Sequence, residues 1–351
     1  MRIAQIAPLQ LAVPPENYGG TERVIGELTE GLVQLGHTVT LFATGDSQTK
    51  AQLIPFVPKA TGFDSQADAV SLHLCLQTEV YRRSDEFDVI HSHLEQLTLP
   101  FIASTQTPTI LTFHSRLDPP ALVRLLQAYP NTNYVSISES QRVPVSGIHW
   151  AATVHHGIDI RRFRYYPEPE DYLAFVGRIT PEKGPERAIH IAKQAGVRLK
   201  IAAKTDTKDR PYFKQVVEPL LSDPLIDFLG PVNERRKCEL IGHARALLLP
   251  IDWPEPFGIV FIESMACGTP VLTRPRGAAA EVVEDGVTGF IRETDAELVA
   301  AIHELPSIAR AECRQIAEQR FGITRMAEEY VRVYEQAIAC AQATQSMQAI
   351  A

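Results

Sequence analysis

The chain has 351 residues, of which 45% are hydrophobic and 22% are charged, and it carries a formal net charge of −8. This composition is typical of a folded globular protein and excludes a disordered or fibrous one, and the length suffices for about two domains. The negative charge argues against a general affinity for nucleic acid, so no nucleic-acid partner is expected.

The amino terminus and the cysteines bear on location. Residues 1–8 carry a single positive charge and an apolar run too short for a signal peptide. No stretch approaches the roughly 18 apolar residues of a membrane-spanning helix, so no transmembrane segment is expected. The five cysteines lack the paired spacing of a zinc or redox site. A cytoplasmic protein with reduced thiols is therefore predicted.

The first half of the chain predicts a parallel sheet covered by helices. Residues 2–8 are typical of a buried strand, and a loop leads from them to Gly19-Gly20 and an amphipathic helix that ends near Gly36. This turn lacks the three-glycine fingerprint of dinucleotide-binding folds, so no nicotinamide cofactor is expected. Short apolar runs predict further strands at residues 38–43, 88–93, 109–114, 134–137 and 152–155.

A segment rich in arginine, tyrosine and proline, residues 158–170, separates the two halves of the chain. It contains a basic aromatic cluster made of Arg161, Arg162, Phe163, Arg164, Tyr165 and Tyr166. Such a cluster is compatible with peripheral contact with a membrane, but a solvated linker between domains is the favoured interpretation.

The same alternation of strands and helices restarts at Tyr172. Strands are predicted near residues 172–176, 197–203, 226–229, 246–251, 270–273 and 288–291. The expected fold class is therefore α/β, with two doubly wound, Rossmann-like domains facing a cleft. Ligands of such sheets bind beside the carboxyl ends of the strands.

The most informative segment follows the apolar run 246–251. Pro254 and Pro256 keep residues 252–257 out of a regular helix, and apolar residues then recur from Gly258 until Gly268 and Pro270 end the predicted helix. Phe257 and Gly258 occupy the helix start, where Ser, Thr, Asp or Asn would normally accept the unpaired amides. Bare amides at such a place suit the anionic part of a ligand, such as a phosphate.

Two carboxylates flank this helix start. Glu255 lies in the loop before it, and Glu263 lies in the second turn. Carboxylates do not bind phosphate, but they accept hydrogen bonds from hydroxyls. A ligand with phosphate in the middle and hydroxyls at both ends is a nucleotide sugar. The competing interpretation is that both glutamates are solvated and that water satisfies the amides.

Two cations follow the first strand of the second half. Arg178 and Lys183 lie between that strand and a helix that begins at Pro185, where proline suits the first turn. Cations at this place suit a diphosphate, because a phosphate leaving group gains negative charge in the transition state. The competing interpretation is that both are ordinary surface cations.

A family resemblance joins these features. Glu-Pro-Phe-Gly-Ile-Val-Phe-Ile-Glu, residues 255–263, followed by Ala-Cys-Gly-Thr-Pro-Val, resembles the donor-site signature of family 4 retaining glycosyltransferases with the GT-B fold. Gly177-Arg178 and Glu182-Lys183-Gly184 resemble another segment of that family. The resemblance implies a hexosyltransferase that moves a sugar from a nucleoside diphosphate to an acceptor and leaves an α-linkage. A UDP-sugar is favoured over GDP-mannose as the donor.

The resemblance also implies a domain organisation. An acceptor-side domain is expected at residues 1–160, a nucleotide-sugar-binding domain at 161–326, and a last helix, 327–351, that crosses back onto the first domain. The acceptor itself carries no recognisable signature.

Roles in the donor site follow residue by residue from the resemblance. The implied donor contacts are Gly19, Gly20, Arg178, Lys183, Lys204, Val232, Phe257, Gly258, Ile259 and Glu263. Arg178 and Lys183 would bind the diphosphate, and Lys204 is a third candidate where many family members have glycine. Pro231 and Val232 would meet the base through backbone atoms.

His114 and Glu255 are the catalytic candidates. His114 ends the apolar run Ile110-Leu-Thr-Phe-His and matches a family histidine that contacts the donor sugar near the reacting carbon. A general-base role is conceivable because an unperturbed imidazole titrates near neutrality. The family's usual proposal is instead a front-face mechanism, in which the leaving phosphate takes the acceptor proton.

No metal or other cofactor is expected besides the substrate nucleotide sugar. Metal-dependent glycosyltransferases commonly present two aspartates around one residue, whereas Asp206 and Asp209 are three residues apart in a loop. His91 and His93 alternate at a strand end, where a hydrogen-bonded structural histidine is favoured over a metal ligand. Two alternatives stay open: a sugar-nucleotide epimerase of the same fold and a non-catalytic nucleotide-sugar-binding protein.

Overall fold

The computed structural model describes residues 1–16, 18–63 and 68–350. The chain divides into two compact units. The first unit comprises Met1–Gly157 together with the chain from Ile323 onwards, and the second comprises Ile158–Gly322.

All the described strands belong to two sheets, one in each unit. They are β1 Arg2–Ile6, β2 Thr38–Thr44, β3 Gln52–Val57, β4 Val89–Ser92, β5 Thr109–Thr112, β6 Asn133–Ser136, β7 Trp150–Thr153, β8 Tyr172–Arg178, β9 Arg198–Lys204, β10 Ile226–Gly230, β11 Ala246–Leu249, β12 Val271–Thr273 and β13 Gly289–Ile291.

Helices connect the strands and cover the sheets. The α-helices of the described chain are α1 Gly20–Gln34, α2 Ala69–Arg82, α3 Leu99–Ile102, α4 Pro120–Gln127, α5 Glu139–Arg142, α6 Pro185–Ala195, α7 Arg210–Tyr212, α8 Glu234–His243, α9 Ile259–Ala266, α10 Ala279–Val282, α11 Asp295–Glu304, α12 Arg310–Arg320 and α13 Ile323–Ile350.

The first unit is built on a parallel sheet of seven strands in the order β3-β2-β1-β4-β5-β6-β7. Its central strands are buried on both faces, as their apolar sequences predict. α13 packs within this unit, and its Tyr330 and Tyr334 are buried beside the sheet and form hydrogen bonds to Thr112 and His91.

The edge strand β3 was not predicted. Its sequence, Gln-Leu-Ile-Pro-Phe-Val, contains Pro55, and its residues are only partly buried. Proline cannot donate to a sheet ladder and is tolerated in edge strands. The register with β2 shifts just after Pro55. A short, half-exposed, proline-containing strand therefore carries a weak sequence signal.

The second unit is built on a parallel sheet of six strands in the order β10-β9-β8-β11-β12-β13. β8 and β11 are neighbours, so the loops that follow them leave the same edge of the sheet side by side. The α/β fold class with two doubly wound sheets is therefore confirmed.

The segment 158–170 combines buried side chains with exposed ones. Phe163 and Tyr166 are buried in the second unit, and the Tyr166 amide donates to the Cys267 carbonyl at 3.0 Å. Arg161 and Arg162 pair with Asp159 and Glu234. The interpretation of the cluster as solvated therefore holds for its three arginines and Tyr165, which are exposed, but not for Phe163 and Tyr166, which pack in the second unit.

Over the described ranges, no helix is both long and apolar enough to cross a bilayer. The cytoplasmic location and any peripheral contact with a membrane stay predictions.

Candidate functional site

Two loops at the carboxyl edge of the second sheet are joined by a backbone hydrogen bond and by a side-chain bond from the helix α6. The loop after β8 holds Lys183 and the loop after β11 holds Glu255. The Asp252 amide donates to the Glu182 carbonyl at 2.9 Å, and Arg187 Nε donates to the Pro250 carbonyl at 3.1 Å. These bonds hold the two loops together.

Glu255 is a buried carboxylate with two donors. Its residue is 7% exposed. Its Oε2 accepts a hydrogen bond from Trp253 Nε1 at 2.7 Å and is ion-paired with Lys183 Nζ. Lys183 Nζ also lies 5.2 Å from the centre of the Trp253 ring. Sequence reasoning placed Lys183 and Glu255 on one ligand but predicted neither their pairing nor the role of Trp253, whose only signal was its place beside the motif.

Gly277 fixes the backbone of the Glu255 loop. The Ala278 amide donates to the Glu255 carbonyl at 2.8 Å, which brings the two turns into contact. Gly277 has φ +58°, and a Cβ built there would lie 2.2 Å from the Glu255 backbone nitrogen. Only glycine fits such an approach without moving the Glu255 loop.

The start of α9 carries no side-chain cap from any described residue, as predicted. Gly258 is left-handed, with φ 89° and ψ 64°, and the half-buried Ile259 begins the helix. A Cβ at Gly258 would lie 2.5 Å from the Phe261 ring. Phe257 is buried edge-on against Phe321, with ring centres 6.0 Å apart. Phe257 could therefore contact a ligand only through its backbone.

Glu263 is a second buried carboxylate, and it pairs with a different lysine from Glu255. It is 3% exposed, and its Oε1 lies 2.5 Å from Lys237 Nζ on α8. Nothing in the sequence connects Lys237 with Glu263, since they lie on different helices. A buried carboxylate of this kind requires a partner, and the lysine provides it.

Arg178 and Lys204 are the last residues of the adjacent parallel strands β8 and β9, where they are paired in register. Lys204 Nζ lies 2.8 Å from Asp206 Oδ1, and Arg178 Nη1 lies 4.0 Å from Asp206 Oδ2. Asp206, which sequence reasoning considered only as a metal ligand, is thus an anionic neighbour of both cations.

Val232 lies in the loop between β10 and α8. Asn233 caps that helix by accepting a hydrogen bond from the Arg236 amide at 2.9 Å. The loop therefore leads directly into the helix that carries Lys237.

The first unit contains the remaining predicted residues. Gly19 and Gly20 lie at the start of α1, whose first turn holds Glu22. Glu22 is buried, and this burial raises its pKa.

His114 follows β5 in the first unit. Its Nε2 lies 2.9 Å from His93 Nδ1, and burial lowers the pKa of His114 to about 3. The imidazole is therefore neutral at neutral pH and is a weak base in this state. His91 and His93 have hydrogen-bond partners at both ring nitrogens, as expected of buried, hydrogen-bonded histidines. The general-base role of His114 stays a prediction.

The fold and the loops at its sheet edges define a class of protein: two doubly wound α/β units with phosphate-suited loops, as in GT-B glycosyltransferases. Sequence models of known families agree with this class. "Glycosyltransferase Family 4" matches residues 18–169, and "Glycosyl transferases group 1" matches residues 159–320. The two models match consecutive parts of the chain, so the chain belongs to the glycosyltransferases that they describe.

Individual proteins are similar over most of the chain. An uncharacterized glycosyltransferase of Methanocaldococcus jannaschii is 25% identical over 82% of this chain and 84% of its own. AviGT4, a glycosyltransferase involved in avilamycin A biosynthesis, is 25% identical with a TM-score of 0.74, covering 96% of this chain and 98% of its own. HepE of Anabaena, solved with UDP and glucose, is 19% identical with a TM-score of 0.74, covering 96% of this chain and 100% of its own.

Proposed function

We propose that the protein is a retaining hexosyltransferase that moves a sugar from a nucleoside diphosphate to an acceptor, leaving an α-linkage. The observation that carries the proposal is the grouping of Glu255, Lys183 and the uncapped start of α9 at one edge of the second sheet. UDP-sugars are the donors to test first, ahead of GDP-mannose, because HepE gives a precedent for UDP in this fold.

Each part of the donor has a matching group. The amides at Gly258 and Ile259, with Arg178, Lys183 and Lys204, are suited to the diphosphate. Lys183 has three N–H donors, so it can hold Glu255 and a phosphate oxygen together. Because both contacts to Glu255 fall on Oε2, Oε1 can accept a hydrogen bond from a sugar hydroxyl. Glu263 binds the ribose in this proposal.

The cations would act mainly in the transition state. The bond between the anomeric carbon and the diphosphate oxygen breaks while the acceptor oxygen attacks from the same face. The departing phosphate oxygen takes the acceptor proton, so no separate base is required. Because negative charge grows on the leaving group, preorganised cations stabilise the transition state more than the ground state.

We also propose that transfer needs no divalent metal, because the arginine and lysines of the site can supply the positive charge. Release of nucleoside diphosphate should then proceed equally with and without excess chelator. A large loss that manganese or magnesium restores would contradict this proposal.

A donor screen tests the function. A nucleotide sugar at 100 times its dissociation constant should stabilise the fold by about 2.7 kcal/mol in a thermal-shift assay. The stabilising donor should then release its nucleoside diphosphate on incubation with an acceptor panel. Conversion of the donor to its epimer would instead indicate an epimerase, and stabilisation without turnover on any acceptor would indicate a binding protein.

A further inference from the structure

Buried polar side chains form a connected network in the first unit, from α13 to the end of β5. Its members are Gln5, His91, His93, Thr112, His114 and Tyr334. All except His114 are fully or almost fully buried. Buried polar groups are costly unless they are paired, so the network constrains where each proton lies.

The proton of His93 can be assigned from its partner. His93 Nε2 lies 2.8 Å from Gln5 Oε1, and a carbonyl oxygen can only accept, so the proton is on Nε2. Burial lowers the pKa of His93 well below its ordinary value, so the ring is neutral and has only this proton. His93 Nδ1 is therefore an acceptor.

The proton of His114 follows from that of His93. His114 Nε2 lies 2.9 Å from His93 Nδ1 and must donate to it. Burial also keeps the His114 ring neutral, so Nδ1 carries a lone pair and no proton. Nδ1 is buried and has no hydrogen-bond partner within the described part of the chain.

The orientation of the Gln5 amide agrees with the rest of the network. Its nitrogen donates to the Tyr334 hydroxyl at 3.2 Å, that hydroxyl lies 2.7 Å from His91 Nδ1, and His91 Nε2 lies 2.8 Å from Thr112 Oγ1. Rotating the amide by a half-turn would reverse these roles and place a proton on His114 Nδ1. A buried N–H without an acceptor is among the rarest states of a polar group in folded proteins.

We propose that Gln5 and His93 are positioning residues that fix the tautomer of His114, with its only proton on Nε2 and directed to His93. His114 then has no N–H to offer a ligand, and its remaining polar atom is an acceptor. The functional part of this inference rests on the proposed function, in which His114 contacts the transferred sugar. Such a contact favours a sugar hydroxyl over a carboxylate, which would need a donor.

Nitrogen-15 NMR of the histidine-labelled full chain tests the tautomer without any sugar. A His114→Gln spectrum identifies the His114 signals among the 11 histidines. In the unsubstituted protein, His114 should have a protonated Nε2 and an unprotonated Nδ1 at neutral pH. A proton on Nδ1, or a doubly protonated ring, would overturn the proposal even if no Gln5 variant folds.

Two substitutions at Gln5 test its control of the tautomer. Gln5→Glu should charge His93, which then donates from Nδ1 and moves the His114 proton to Nδ1. Gln5→Leu should leave a mixture of the two tautomers. Thr112→Val removes a hydroxyl from the other branch of the network and should leave the His114 tautomer unchanged. Folded Gln5 variants with the original His114 tautomer would overturn the proposal.

Turnover gives a second readout once a donor is known. Gln5→Leu should lower kcat/KM by about 2- to 10-fold, the range for one neutral hydrogen bond, while the Kd of the nucleoside diphosphate stays the same. An unchanged kcat/KM in a variant whose tautomer has changed would overturn the functional part. Failure of the donor screen alone would count against the proposed function and leave the tautomer assignment standing.

Discussion

Glu255 and Glu263 are buried carboxylates that each have one lysine partner. Removing a charged group from water costs several kcal/mol unless a partner compensates it, so each pair is needed as long as no ligand is bound. In the proposed complex, donor hydroxyls and phosphate oxygens supplement these contacts. The lysines therefore compensate the two buried carboxylates and hold them in place before the donor arrives.

Trp253→Phe tests how Glu255 is oriented. The substitution keeps an aromatic ring near Lys183 but removes the indole N–H that donates to Oε2. A hydrogen bond to a charged group contributes about 1.5–3 kcal/mol, so kcat/KM should fall roughly 10-fold or more. The Kd of the nucleoside diphosphate should stay within about 2-fold, since the proposed contact of Glu255 is with the sugar and not with the nucleotide.

The other tryptophan of the chain provides the matched control. Trp150 lies in β7 of the first unit, and Trp150→Phe should leave kcat/KM unchanged. Equal effects of the two substitutions, or a loss of nucleotide affinity in Trp253→Phe, would show that Trp253 does not act through Glu255.

Among helices and strands, strong local signals could be predicted from the sequence, whereas weak local signals and distant pairings could not. The start of α9 could be predicted because Pro254, Pro256 and Gly258 restrict the backbone locally. β3 was missed because Pro55 weakens the strand signal. The pairing of Lys237 with Glu263 and the contact of Gly277 with Glu255 depend on how distant segments pack, which periodicity cannot reveal.

Gly277→Ala tests whether the turn that contacts Glu255 positions it. The new methyl group would collide with the Glu255 backbone, so the loop must shift and donor turnover should fall at least 10-fold, as expected for a lost bond to a charged group. Gly286→Ala is the control, because Gly286 has φ +77° with nothing within 4 Å of the added Cβ.

Both substitutions place a side chain in the left-handed region, which costs about 1–2 kcal/mol. Denaturant unfolding should therefore show a loss of stability for both, whereas only Gly277→Ala should lose turnover. Similar turnover in the two variants would rule out a positioning role for this turn.

At the scale of the whole molecule, buried histidines make stability depend on pH. Burial lowers the pKa of His91, His93, His114 and His156 in the folded protein, whereas an unfolded histidine titrates near about 6.5. Below that pH the unfolded chain binds protons that the folded chain does not. Stability is therefore retained above pH 6.5 or so and is lost as the pH falls through it.

The free energy of unfolding should fall between about pH 6.5 and 5, with each buried histidine contributing up to about 1.4 kcal/mol per pH unit. Urea unfolding at a series of pH values measures this slope. His91→Gln removes one such histidine and should reduce the slope by about the same amount. A flat profile over this range would contradict the assignment of neutral, buried histidines.

In the proposed complex, Glu255 and Glu263 bind opposite ends of a nucleotide sugar. Calorimetric titration of UDP or GDP, whichever binds, into Glu255→Ala and Glu263→Ala tests it most directly, with the Glu→Gln variants as controls of similar volume. Glu263→Ala should weaken nucleotide binding roughly 10- to 150-fold, whereas Glu255→Ala should leave it almost intact while transfer falls. Equal losses of nucleotide affinity, or a loss only in the Glu255 variant, would contradict this division of roles between the two glutamates.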